Sequence, residues 1–224
     1  MGDVISLNDW RRAGTGSWTP ASPEGQVHRA PAFFFDLGCP FSYLAAERVE
    51  RLLGSVAWIP TSSVALHRGS RWSDARASAL ARLRAEERAR ELRLPLVWPE
   101  RFPAGVPMAL RAAAHAAQLG AGAEFALAAV RLAYCGGFDL EDPETLAEAA
   151  AAAGMTLEQC LGAAGDLAHD GALNATARSL MRCGVRELPA VRVAGRYIAG
   201  ERHLPEAAAL LRSVSHSHRL APVG

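Results

Sequence analysis

Cys39 stands where a short apolar run, residues 32–35, meets a segment of helical periodicity that opens at Pro40. In that place a cysteine is the helix N-cap, and Pro40 takes the first helical position, where a missing N–H costs no intrahelical bond. Unpaired backbone N–H groups and the positive end of the helix dipole favour thiolate over thiol. Cys39 is therefore expected to titrate below a free cysteine and to act as a nucleophile. Ser42, three residues on, is expected to donate a hydrogen bond to its sulfur. The blander reading of the same pattern is a small buried residue in a tight turn, since free cysteine is among the most buried residue types.

A second segment changes the weight of the first. Residues 184–198 read as a helix stop at Gly184, a loop, Pro189, a strand, a tight Ala194-Gly195 turn and another strand. A proline directly before a strand is expected either to carry a cis bond or to lie at an edge.

The C-P-F-S motif at 39–42 and the Leu188-Pro189 loop, in this order, resemble the thioredoxin-fold superfamily, in which a cis-proline loop faces the active-site cysteine. Phe35-Asp36 through Ala45, Leu94-Pro95-Leu96-Val97-Trp98-Pro99 and the Asp142-Pro143 helix start resemble its DsbA-like branch. That branch holds DsbA-type disulfide oxidoreductases, 2-hydroxychromene-2-carboxylate isomerases and kappa-class glutathione transferases. The resemblance spans residues 31–213 and implies an α/β thioredoxin-like fold with an all-helical insertion.

The resemblance also implies roles. A DsbA-type oxidase has a second cysteine where this chain has Ser42, so dithiol chemistry is disfavoured and resolution of a mixed disulfide needs an external thiol or a third cysteine. In the isomerase and transferase branch the position matching Cys39 is typically serine, which activates the glutathione sulfur. Leu188, before Pro189, would offer its backbone N–H and C=O to a bound cysteinyl moiety. Glu201 in Gly200-Glu201-Arg202-His203-Leu204 matches, one position displaced, an acidic residue that holds the γ-glutamyl end. Pro40 and Phe41 complete the expected substrate-binding set, and related families are commonly dimeric, so a homodimer is expected.

Three functions follow. The first is a thiol-dependent oxidoreductase using Cys39, the second a glutathione-dependent isomerase or transferase, the third a non-enzymatic thioredoxin-like scaffold. No cofactor is expected to bind tightly, with glutathione or another low-molecular-weight thiol as cosubstrate and a small-molecule thiol or aromatic compound as substrate.

The elements that must position these residues read as follows. Residues 1–30, with Trp10 and Trp18, form an irregular arm; 31–66 and 184–213 form the thioredoxin-like domain; 67–183 form the insertion; 214–224 form a tail. The apolar stripe Leu44, Val49, Leu52, Leu53 predicts one helix over 40–53, and 56–60 a second strand. A charged helix is expected over 73–93, followed by a proline-rich loop. Helices are expected at 108–119 and 123–134, from Asp142 to Gly154, from a Thr156–Gln159 capping box, and up to Arg182. Phe41, Tyr43, Trp98 and Phe102 are candidates to line a cleft under this insertion.

Composition bounds the rest. The 224 residues are 50% hydrophobic with a net charge of +1, enough for a sizeable core and no electrostatic argument for nucleic acid or membrane. Every basic residue other than histidine is arginine. No signal-like or transmembrane run is seen, which points to the cytoplasm. Cysteines 39, 135, 160 and 183 show no metal-ligand spacing, and no metal is expected. His216 and His218 are read as parts of a solvated tail, and His203 as a surface residue.

Overall fold

The computed structural model describes residues 30–67 and 74–220, so the N-terminal arm lies outside the described residues. Four strands, β1 (Ala32–Phe35), β2 (Ala57–Pro60), β3 (Ala190–Val193) and β4 (Arg196–Ala199), form one sheet in the order β2-β1-β3-β4. β2 runs parallel to β1, whereas β3 is antiparallel to β1 and β4 to β3. The Ala194-Gly195 turn between β3 and β4 has positive φ at both residues, 49° and 77°, the pattern that suits the twist of a two-residue hairpin.

β1 is buried along its whole length because both faces of the sheet are covered. Phe33 and Phe35 point to one side, with Trp58, Val191 and Val193, into the larger core. Ala32 and Phe34 point to the other, against Leu180, Val185 and Leu188. Alternation of a strand's side chains across the sheet makes this division automatic.

After β1 the chain forms α1 (Pro40–Ala46) and α2 (Val49–Leu53), not the single helix expected over 40–53. The break falls at Arg48, whose φ of −129° leaves the helical region while its side chain turns inward. A short helix, α3 (Ser63–His67), follows β2 and was not expected. The charged helix α4 (Ala75–Leu92) is capped by Asp74, whose side chain accepts from the Arg76 amide.

The insertion continues with α5 (Pro107–Gln118), α6 (Gly122–Tyr134), α7 (Pro143–Ala152), α8 (Leu157–Gly165) and α9 (Ala168–Arg182). Asp142 caps α7 with Pro143 at its first position, and Thr156 and Gln159 form the reciprocal capping box of α8. Alanines 109, 112, 113 and 116 of α5 are fully enclosed.

Past β4, Gly200 and a 3₁₀ turn (Glu201–His203) lead into α10 (Leu204–Leu220). The expectation of an irregular tail from Val214 is therefore corrected: α10 continues to Leu220. No helix among the described residues is long and apolar enough to cross a membrane, and no group of three or more metal-ligating side chains occurs among them.

Candidate active site

The C-terminal end of β1 turns through Asp36-Leu37-Gly38 into α1. The Asp36 carboxylate builds that turn: Oδ1 accepts from the Gly38 amide at 2.8 Å, and Oδ2 from the Ser63 amide at 2.7 Å. Gly38 is required by close approach, since a Cβ there would meet the Ala104 carbonyl oxygen at 3.0 Å and Val106 at 3.3 Å. Cys39 then donates its N–H to the Asp36 carbonyl and accepts at its own carbonyl from the Ser42 amide. It is the N-cap of α1, in extended conformation, with Pro40 at the first helical position.

The sulfur of Cys39 lies 3.6 Å from the carbonyl oxygen of Leu188, to which the thiol donates. The Leu188–Pro189 bond is cis, and the Pro189 carbonyl accepts from the Gly200 amide at 2.8 Å, tying this turn to the end of β4. The two segments singled out by the sequence thus meet in space, Cys39 against Leu188-Pro189.

The protonation state is opposite to expectation. Cys39 is 5% exposed, and burial, reinforced by the charge of Asp36, pushes its thiol up to about 11, although the Ser42 amide and hydroxyl and the Phe41 amide pull the other way. The helix behind it has only seven residues, so its dipole does not offset removal of the sulfur from water. Ser42 is fully buried, and its Oγ also accepts from the Asp36 amide at 3.2 Å. Burial raises the Asp36 carboxyl as well.

A cleft of about 530 Å³ flanks this turn on the α4 side, lined by Phe41, Leu188, Arg84, Glu87 and the Gly200–His203 segment. It brings together Phe41, Leu188 and Glu201 of the expected substrate-binding set. Pro40 is buried within α1. The Glu201 carboxylate is already ion-paired. It is 3% exposed and held between two arginines: Arg48 donates to Oε1, and Arg88 donates to Oε2 at 2.7 Å and Oε1 at 3.1 Å. Arg88 also bonds Glu91, which Arg202 reaches at 3.3 Å.

Of the aromatic candidates only Phe41 lines that cleft. Tyr43 is fully buried, and its hydroxyl donates to the Pro95 carbonyl at 2.7 Å, with the Cys135 sulfur 3.3 Å away. Trp98 and Phe102 pack on each other under the Arg82 guanidinium. Cys160 donates to the Leu146 carbonyl, and Cys183 is exposed at the end of α9. Arg48, Arg88 and Tyr134 were not singled out from the sequence. Arg48 and Arg88 sit among many arginines, and Tyr134 ends an apolar stripe, so only their spatial partners distinguish them.

A DSBA-like thioredoxin domain model matches residues 32–212. No curated protein matches. Among solved structures, the fold is similar to a 2-hydroxychromene-2-carboxylate isomerase at 13% identity and TM-score 0.69, covering 86% of this chain and 99% of that one. It is also similar to a probable DsbA oxidoreductase from Streptomyces coelicolor at 18% identity and TM-score 0.63, covering 87% and 92%. With the family model spanning both the Cys39 turn and the Pro189 turn, the chain belongs to the DsbA-like thioredoxin family.

Proposed function

We propose that this protein is a small-thiol-dependent enzyme of the isomerase or transferase kind, in which Cys39 stays protonated and donates a hydrogen bond to the sulfur of a bound thiol. The carrying observation is the Cys39 thiol, enclosed, pushed up to about 11 and already donating to Leu188. A thiol in that state is a poor nucleophile and a serviceable donor, the part a serine hydroxyl plays in the related isomerases. The adjoining cleft, about 530 Å³ with Phe41 and Leu188 on its walls, falls within the usual range of small-molecule sites, roughly 300–1,000 Å³. The occupancy of Glu201 by Arg48 and Arg88 favours a thiol anchored through the Leu188 backbone over one held by its amino group.

Titration of reduced glutathione into the wild type, Cys39→Ser and Cys39→Ala tests this reading. Bound thiolate, read by its ultraviolet absorbance near pH 7, is expected in the wild type and Cys39→Ser and lost in Cys39→Ala. Loss of the signal in Cys39→Ser would sink the proposal.

A second reading, thiol-disulfide exchange at Cys39, is favoured by the two amides and one hydroxyl directed at the sulfur. There the Cys39 thiolate attacks a disulfide, one S–S bond replaces another, and the departing thiolate leaves with the electron pair. An external thiol must then release the mixed disulfide. A Cys39 adduct forming with oxidised glutathione at pH 7 faster than on free cysteine would select it.

A further inference from the structure

Asp36 is a carboxylate, 4% exposed, that forms no ion pair among the described residues. Its oxygens accept from the Gly38 and Ser63 amides, and all three residues line a cavity of about 350 Å³. This cavity lies on the Gly38 side of the reactive turn and shares no lining residue with the Phe41–Leu188 cleft. Its walls come from the starts of α3 and α5 and the first half of α9. Val106, Leu110 and Leu173 give it a buried apolar surface, and Val64, 46% exposed, stands at the rim. The volume falls within the usual range of small-molecule sites, roughly 300–1,000 Å³.

Two of the other polar lining residues complete each other. Arg111 donates from Nε and Nη2 to the two carboxylate oxygens of Asp170, at 2.7 and 2.9 Å, so that pair carries no net charge. Asn174 lies one turn beyond Asp170 on the same wall, and its side chain has no hydrogen-bond partner among the described residues. Asp36 is therefore the one charge on the wall that no opposite charge meets there. A charge taken out of water is held by hydrogen bonds or by a counter-charge. The Ser63 hydroxyl and amide, the Gly38 amide and the charge of His67 on α3 favour the carboxylate, yet burial outweighs them. An ionised carboxylate has about four acceptor sites, so Asp36 can still take a donor from the cavity. A positively charged donor supplies the missing counter-charge, and the Asn174 carbonyl offers it a second acceptor. An anion would meet Asp36 and a guanidinium already filled by Asp170.

We propose that this cavity is a binding site for a small primary amine with an apolar body, the ammonium group taken by Asp36 and Asn174 and the body by Val106, Leu110 and Leu173. The site is separate from the cleft to which the thiol is assigned above, and it does not rest on that reading.

The test titrates the full chain, carbon-13 labelled at its valine and leucine methyls, with benzylamine, benzyl alcohol and benzoate near pH 7. Benzylamine is expected to shift the methyls of Val106, Leu110 and Leu173 and to leave those of Leu188, in the other cleft, in place. Benzyl alcohol has the same shape without the charge and is expected to bind at least about tenfold more weakly, the scale of a charge-assisted over a neutral hydrogen bond. Benzoate is expected to shift none of them. Asp36→Asn is expected to erase the preference for amine over alcohol. Because that change also touches the turn, Val64→Trp serves as a second variant: it fills the rim, leaves Asp36 in place and is expected to abolish the shifts. Equal binding of amine and alcohol, shifts that survive Val64→Trp, an amine preference retained in Asp36→Asn, or no shift at millimolar benzylamine overturns the proposal. Glutathione reports on the other cleft, so its failure to bind bears on the proposed function alone.

Discussion

At Cys39 two fields compete, and burial wins. The amides of Phe41 and Ser42 and the Ser42 hydroxyl favour charge on the sulfur, while enclosure and the Asp36 carboxylate oppose it. The position of the cysteine was legible, because a thiol between an apolar strand and a proline-initiated helix is a local pattern. Its protonation was not, because the enclosure comes from Leu188, 149 residues away. The sign of the shift has a measurable consequence. A thiol that ionises near 9 when unfolded but near 11 when folded binds more protons in the native state between those values. Native stability is therefore full below about pH 9 and falls as pH rises toward 11, by about 2–3 kcal/mol in total. Cys39→Ala is expected to lose that alkaline slope in urea titrations run at successive pH values; a slope equal to the wild type's would show that the thiol is not its source. Ser42→Ala removes the acceptor of the buried Asp36 amide and is expected to cost about 1–3 kcal/mol while slowing Cys39 alkylation.

Among the elements, those governed by neighbours in sequence were legible and those governed by distant partners were not. The Thr156–Gln159 box and the Asp142-Pro143 start are satisfied within one turn, and both stand in the structure as read. The α1–α2 break escaped the pattern, since the apolar stripe runs across it unbroken. Its cause is Arg48, which leaves the helix to reach Glu201, 153 residues later. This buried Arg–Glu–Arg arrangement joins the α1–α2 corner, α4 and the 3₁₀ turn before α10, and it replaces apolar packing on a helix whose enclosed face is mostly alanine. Breaking such an arrangement by removing one partner costs about 3–5 kcal/mol. Glu201→Ala, which leaves two enclosed guanidiniums facing each other, is expected to lose that much stability and to raise amide exchange along α4. Exchange in α4 no faster than in the wild type would mean that the helix is held by other contacts.

At the scale of the molecule, the division of residues 67–183 from the thioredoxin-like part describes the path of the chain but not its core. Phe33, Phe35 and Val191 of the sheet share one continuous apolar cluster with Ala113 and Ala116 of α5, Phe125 and Val130 of α6 and Leu146 of α7. The sheet's two faces are covered in different ways, one by this cluster and one by α3 and α9, so the strands have no finished core until the helices are in place. The insertion is then a layer of the fold, and the reactive turn is held between layers: Gly38 against Ala104 and Val106 on one side, Cys39 against Leu188 on the other. A shared core of this kind unfolds as one unit. Trp58 reports on the sheet and Trp98 on the insertion, and the urea midpoint of tryptophan fluorescence is expected to coincide with that of far-ultraviolet circular dichroism, which follows the helices. Phe125→Ala, at a fully enclosed site in the insertion, is expected to cost about 3–5 kcal/mol and to shift both midpoints together. It is also expected to speed exchange of the β1 amides, which it does not touch in sequence. Two separated midpoints, or β1 protection unchanged in the variant, would instead establish a helical unit that opens while the sheet and the Cys39 turn stay closed.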